Sequence, residues 1–251
     1  MTAAAALNTM SLRDASPTRN ASVTTLRPRP RATQRIKGGQ TLYAAGDAFR
    51  MLYVVRVGVM KSFSVSDEGL MQVTGFHLPG DVVGFDGIDS GTHQGSVTAL
   101  DDCQVFALPF AQCELWTQES IDAQRLMMRA LACEILRGQE LMLLLGTMTA
   151  DQRVATFLLD LSHRYAQRGY SRSEFMLRMT RQEIGSYLGL KLETVSRALS
   201  RFHAEGIITV SGKSVGIIDF AALWKIAGLS PDHRWPSCAS ILDSAGELRR
   251  A

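Results

Sequence analysis

Cysteine is scarce in this sequence, and what there is follows no metal-binding pattern. Cys103, Cys113, Cys133 and Cys238 are widely spaced, with no C-x-x-C pair. That argues against a disulfide framework and a simple zinc site, leaving reduced structural thiols as the expectation. Long apolar runs are lacking as well. No stretch approaches the roughly 18 consecutive apolar residues of a membrane span, and the start has no basic segment followed by an apolar run. A cytoplasmic protein with no membrane partner is expected. Histidine is equally thin: only His77 and His93 fall in the first half of the chain. A metal enzyme built on a β-barrel of cupin type would need a histidine cluster, so no metal site and no catalytic site are expected.

The net charge is +3 over 251 residues, and this small excess hides a segregation. Residues 1–35 carry six arginines against Asp14 alone, residues 36–120 carry ten acids against four bases, and residues 151–220 carry ten bases against seven acids. An acidic middle followed by a basic end suits a sensory domain joined to one that approaches a polyanion.

The pattern of residues divides the chain further. Residues 1–30, rich in Ala, Ser, Thr, Arg and Pro, read as a flexible arm. Residues 31–120 hold short β-like runs such as MLYVVRVGVMKSFSVS and SVTALDDCQVFALP, punctuated by glycine turns, and predict an antiparallel jelly roll or barrel. Residues 121–146 predict one long helix. Met128, Leu131, Ile135, Gly138, Met142 and Leu145 recur on it at spacings of three and four, which makes a heptad seam. Such a seam packs either on the β domain of its own chain or on a second copy. Its persistence over nearly three heptads favours a two-fold homodimer, with Leu141, Leu143 and Leu144 left for packing within the chain.

The stretch MTRQEIGSYLGLKLETVSRALSRFHAEGIITV, residues 179–210, carries the functional signal. Thr180 and Glu183 form a capping box, and Gly189 permits the left-handed turn that ends the first helix. In the second helix Val195, Leu199 and Phe202 share one face, while Glu193, Ser196 and Arg197 share another. Arg197 suits a forked pair of bonds to guanine, Glu193 an amino donor of cytosine, and Ser196 either partner. Thr194 lies beside them. Residues 206–218 read as a hairpin wing with Lys213 at its tip, and Thr180, Arg181 and Gln182 are candidates for phosphate contacts that fix register. The winged helix-turn-helix is thus expected over 147–220, followed by a C-terminal extension over 221–251.

At these residues the chain resembles the CRP/FNR family of bacterial transcription regulators, in its FNR and FixK-like branch. GFHLPGDVVGFDGI from Gly75, LMMRALACEILRGQELMLLL from Leu126, RYAQRGYSRSEFMLRMTRQEIGSYLGL from Arg164 and ETVSRALSRF from Glu193 carry the resemblance. It implies an α+β fold with an N-terminal β-roll, a dimerisation helix and a C-terminal winged helix-turn-helix. It also implies TTGAT-like palindromic sites read by Glu193, Ser196 and Arg197, and activation through RNA polymerase. The polymerase contacts would fall at Asp86 and Gly87 and at Tyr170, Ser171, Arg172 and Ser173. The FNR branch further suggests genes of oxygen-limited or nitrogen-oxide respiration.

The departures are informative. No cysteine precedes Cys103, and Phe106 stands where cluster-bearing members have a late cysteine, so an iron-sulfur cofactor is not expected. Lys61 is the only Lys or Arg between Arg56 and Arg125, which argues against a cyclic nucleotide. A haem- or ligand-gated relative is the alternative, with His77 or His93 as conceivable ligands. Lys191 occupies the start of the second helix where many relatives have Ser or Thr, so no side-chain cap is expected there and the lysine is a candidate to reach a phosphate.

Overall fold

The computed structural model describes residues 33–236. The expected N-terminal arm, Cys238 and most of the expected extension lie outside them. The β domain is a pair of antiparallel sheets. One has the order β1 (Thr33–Ile36), β8 (Cys103–Pro109), β3 (Met51–Val57) and β6 (Val82–Val83); the other has β2 (Thr41–Tyr43), β7 (Ser96–Ala99), β4 (Met60–Val65) and β5 (Met71–His77). Alternation along β8 and β3 turns Val105 and Val55 inward, where Met60 and Val97 from the other sheet join them in the roll's core. The opposite faces of β3 and β8 carry Leu52, Val54, Phe106 and Leu108. These are covered by α1 (Phe110–Glu119) and the first turns of α2 (Ile121–Thr147), through Cys113 and Leu126.

The long helix therefore starts where the periodicity placed it and runs 27 residues, about 40 Å at 1.5 Å per residue. Ser120 caps it, accepting from the Ala123 amide. The helix α1 precedes it, within the residues 31–120 read as the β domain.

The C-terminal part comprises α3 (Ala150–Gln167), β9 (Glu174–Met176), α4 (Arg181–Leu188), α5 (Leu192–Ala204), β10 (Ile208–Ser211), β11 (Ser214–Ile217) and α6 (Phe220–Ala227). The wing is a three-stranded sheet in the order β10-β11-β9, one strand more than the hairpin read from sequence. Leu223, Trp224 and Ala227 of α6 are buried against α3, so the compact unit runs past the expected limit at residue 220.

Its core is continuous with the β-roll. Val73, Phe76 and Leu78 of the roll pack in one cluster with Phe157, Leu188, Phe202 and Leu223. Polar links reinforce the docking. Lys61 Nζ donates to Glu183 Oε1 at 2.7 Å, the Val73 amide donates to Ser186 Oγ at 2.9 Å, and Gln72 donates to the Ser186 carbonyl. At the centre sits Asp81, 4% exposed, accepting from Arg137 of α2 at 2.9 Å, from Arg164 of α3 at 2.8 Å and from Arg168, just past the end of α3, at 2.7 Å. Burial alone would raise the Asp81 pKa, but three guanidinium groups hold it far below the usual carboxylate range.

Cys103 and Cys113 are free and buried; burial pushes their thiols up to about 12 and about 11, so both stay protonated.

Candidate nucleic-acid interface

The two helices of the DNA-reading unit are set by local chemistry. Thr180 Oγ1 accepts from the Glu183 amide at 3.2 Å while Glu183 Oε2 accepts from the Thr180 amide at 2.7 Å, the reciprocal cap expected from the sequence. Gly189, with φ +63°, ends α4 in the left-handed region. A second glycine is equally constrained: a Cβ on Gly185 would stand 2.6 Å from the Leu190 carbonyl oxygen, so only glycine lets the inter-helix turn close this tightly. Arg153 then locks the corner, its guanidinium donating to the carbonyls of Met148, Leu188 and Leu145 at 2.9, 3.0 and 2.8 Å. One side chain thereby ties the end of the long helix to the end of α4. Nothing in the sequence pattern singles it out, since its three acceptors are all backbone.

On α5 the buried face is Val195, Ala198, Leu199 and Phe202. Glu193 and Arg197 are exposed, with Ser196 and Thr194 half-buried between them, so the face proposed for base reading is open. Ser200 and Arg201 extend it by one turn, and Arg201 is held there by Asp151. Lys191 stands at the start of α5 without making a side-chain cap. Lys213 is exposed at the wing tip, where Gly212 takes φ +59°.

The start of α4 behaves differently. Thr180 and Gln182 are exposed, but Arg181 is half-buried with Nη1 enclosed and without a partner, and Glu183 beside it is drawn to Lys61. The phosphate contact expected of Arg181 is thus not presented as an open side chain in this arrangement, because α4 is packed on β5.

The residues matched to polymerase contacts also divide. Tyr170, Ser171, Arg172 and Ser173 are exposed, and Arg172 lies over the Phe220 ring at 4.7 Å. Gly87 requires correction, whereas Asp86 is exposed but already bonded within the loop. Asp86 Oδ2 accepts from the amides of Gln94 and Gly95 at 2.9 and 3.0 Å, and Oδ1 faces Tyr43 and His93, so its carboxylate shapes the loop. Gly87 is buried, and a Cβ there would strike the Phe49 ring at 2.7 Å. Asp86 is exposed despite these bonds, and Ile88, Asp89 and Ser90 are exposed beside it.

Along α2, Met128, Ile135 and Met142 are 61, 60 and 67% exposed, and nothing lies near a Cβ built on Gly138. Leu131 and Leu145 are half-buried: the first lines a cavity of the β-roll, and the second packs on the winged unit. Leu144 is buried and Leu141 half-buried as expected of intrachain packing, whereas Leu143 is 60% exposed and belongs with the open face.

The β-roll cavity has a volume of about 390 Å³ and is lined by Ser62, Thr74, His77, Asp86 and Glu134, among others, with no Lys or Arg in its wall. That donor set does not fit a cyclic phosphate, which needs a cation. The buried, protonated thiols of Cys103 and Cys113 do not fit a cluster ligated by four thiolates.

Comparison with known proteins decides the family. Residues 33–115 match the cyclic nucleotide-binding domain and residues 152–226 the Crp-like helix-turn-helix domain. The transcriptional activator protein anr of Pseudomonas aeruginosa is 44% identical over 193 residues, covering 77% of this chain and 79% of that protein. The fumarate and nitrate reduction regulatory protein of Escherichia coli is also 44% identical over 193 residues, covering 77% of each. The chain belongs to the CRP/FNR family of transcription regulators. Among solved structures, FixK2 from Bradyrhizobium japonicum superposes with a TM-score of 0.72 at 32% identity, covering 79% of this chain and 98% of that one. The protein is accordingly a DNA-binding regulator and not an enzyme. The order of β-roll, long helix and helix-turn-helix is that of the family, and among the described residues no helix is long and apolar enough to cross a membrane.

Proposed function

We propose that this regulator binds TTGAT-like palindromes as a homodimer in the cytoplasm and activates genes of oxygen-limited or nitrogen-oxide respiration without an FNR-type iron-sulfur cluster or a cyclic nucleotide. The observation that carries the reading is the open face of α5, where Glu193, Ser196 and Arg197 stand opposite a fully packed one. Two such helices related by a two-fold axis meet two half-sites one helical turn apart. The exposed apolar residues of α2 support the dimer: Met128, Ile135 and Met142 leave a stripe that a second copy covers. Lys191, Gln182 and Lys213 supply phosphate contacts. The loop at Ile88–Ser90 and the segment Tyr170–Ser173 are the surfaces offered to RNA polymerase.

The respiratory assignment follows the relatives named for activation and for fumarate and nitrate reduction. The cluster-free assignment rests on the sequence, which has no cysteine in residues 1–102.

The test is a gel-shift competition between a TTGAT palindrome and a scrambled duplex. Arg197→Ala should lose about 1 to 3 kcal/mol of discrimination per half-site while remaining folded and dimeric. Undiminished selectivity would refute the reading. A ligand-gated regulator is favoured by one observation, the cavity of the β-roll; a haem-bound form would show strong absorbance near 400 nm in the purified protein.

A further inference from the structure

A second cavity, of about 130 Å³, lies where the β-roll, the long helix and the winged unit meet. One wall is aromatic: Phe76, Phe157 and Tyr187 stand with ring centroids 5.1 to 6.0 Å apart. The segment after α6 closes another side through Leu229, His233 and Trp235, which gives that part of the extension a structural role.

Two acceptors in this cavity have no donor. Glu140 of α2 is half-buried, and its carboxylate makes no hydrogen bond or ion pair among the described residues. His77 of β5 is 3% exposed; its Nε2 lies 3.0 Å from Ser62 Oγ, and its Nδ1 has no partner. In the tautomer whose Nε2–H donates to Ser62 Oγ, the one that an ammonium at Nδ1 selects, Nδ1 is an acceptor. The nearby arginines do not supply what is missing, because Arg137 and Arg164 are spent on Asp81 at 2.9 and 2.8 Å. Arg164 Nε is a buried donor of the wall without a partner among the described residues. Buried polar atoms without partners are uncommon, and two of them, His77 Nδ1 and Arg164 Nε, line one cavity beside the half-buried Glu140 carboxylate, which marks a missing molecule of complementary chemistry.

We propose that this cleft binds a small primary amine that also carries an oxygen acceptor. The ammonium sits against Glu140 and His77 Nδ1, with Asp160 of α3 adding negative charge and the aromatic wall covering the carbon chain. The oxygen accepts from Arg164 Nε. The bound molecule touches the dimerisation helix, the β-roll and the DNA-binding unit at once. This site is independent of how α5 reads DNA.

The charged and titratable groups facing Glu140 are Glu134 and Arg137 on α2, Asp160 and Arg164 on α3, His77 on β5, Tyr187 on α4 and His233 beyond α6. Burial and the Asp160 carboxylate raise Glu140 to about 7. Burial holds His77 neutral and keeps Tyr187 protonated. An alkylamine stays protonated across neutral pH. Its affinity should therefore rise as Glu140 ionises, by about tenfold between pH 6 and pH 8.

The experiment is calorimetric titration of the full chain with 4-amino-1-butanol, using butane-1,4-diol as the neutral isostere. Binding about tenfold tighter at pH 8 than at pH 6, with no binding of the diol, supports the site. Glu140→Gln should weaken the amine at least tenfold and abolish its pH dependence, while unchanged palindrome binding shows that the variant is folded. Absence of amine binding at pH 8, equal binding of the diol, or a Glu140→Gln variant that keeps its affinity or its pH dependence overturns the proposal. None of these outcomes alters the DNA reading, which the Arg197→Ala competition tests separately.

Discussion

Replacing Asp81 with alanine should be among the most damaging single changes in this protein. The carboxylate is buried, yet it accepts from three arginines and from the Leu78 amide at 2.8 Å. Removing it leaves three positive charges around an apolar gap. Each arginine keeps some support: Arg164 donates to the Phe76 carbonyl, Arg168 to the carbonyls of Pro79 and Arg164, and Arg137 lies 3.9 Å from Glu134. These residual partners argue against summing three separate losses. The expected cost is that of breaking one buried ionic cluster, about 3 to 5 kcal/mol, against a total stability of about 5 to 15 kcal/mol. With a urea slope of about 1 to 3 kcal/mol per molar, the unfolding midpoint should fall by at least about 1 M. Asp81→Asn keeps an acceptor of similar shape and should cost less. The acid limb provides a second measurement. Because the folded carboxyl titrates far below its unfolded value near 3.8, its contribution is complete above that value and is lost as pH falls further. Asp81→Asn should therefore flatten the fall in stability below about pH 4. A midpoint for Asp81→Ala within about 0.3 M of the parent, by circular dichroism, would refute the assignment of this node as the link between roll, helix and winged unit.

Three further outcomes follow from the geometry. Ile135→Glu places two carboxylates face to face in the proposed seam and should give monomers in sedimentation velocity; a variant that stays dimeric returns α2 to intrachain packing. Gly185→Ala forces a methyl to within 2.6 Å of the Leu190 carbonyl and should lower stability by about 1 to 3 kcal/mol, read as a drop in melting temperature; an unshifted melt contradicts the close approach. Lys191→Ser should add a helix cap worth about 1 kcal/mol while reducing the salt dependence of DNA binding by about one ion, measured by repeating the gel shift over a salt series. An unchanged salt slope removes Lys191 from the phosphate contacts.

The reading face of α5 is legible in the sequence because it depends on residues that are neighbours along the chain. A capping box, a left-handed glycine and apolar residues at helical spacing are all local, and together they place Glu193, Ser196 and Arg197 opposite Val195, Leu199 and Phe202. The start of α4 is less legible for a complementary reason. Arg181 was expected to meet phosphate, but Glu183 is engaged by Lys61, which lies 122 residues earlier, and no local pattern announces such a partner. Asp86 has a second role that the sequence does not display: its Oδ2 accepts from amides eight and nine residues on, closing the loop. Short or unpatterned elements escaped too, notably β9, whose three residues form a strand only because β11 offers an edge.

What the sequence determined by itself was the kind of protein: its order of β-roll, long seam and winged helix-turn-helix, the polar face of α5 proposed to read DNA, and the absence of early cysteines. Periodicity, capping and composition carry that information, since each is written in residues close together along the chain. The tertiary structure decided how those parts are coupled. Asp81 gathers arginines from two helices, α4 rests on β5, and Glu140 is left without a donor in a cleft walled by four elements. Such arrangements depend on charges and rings brought together from more than fifty residues apart, and only the folded chain sets those distances.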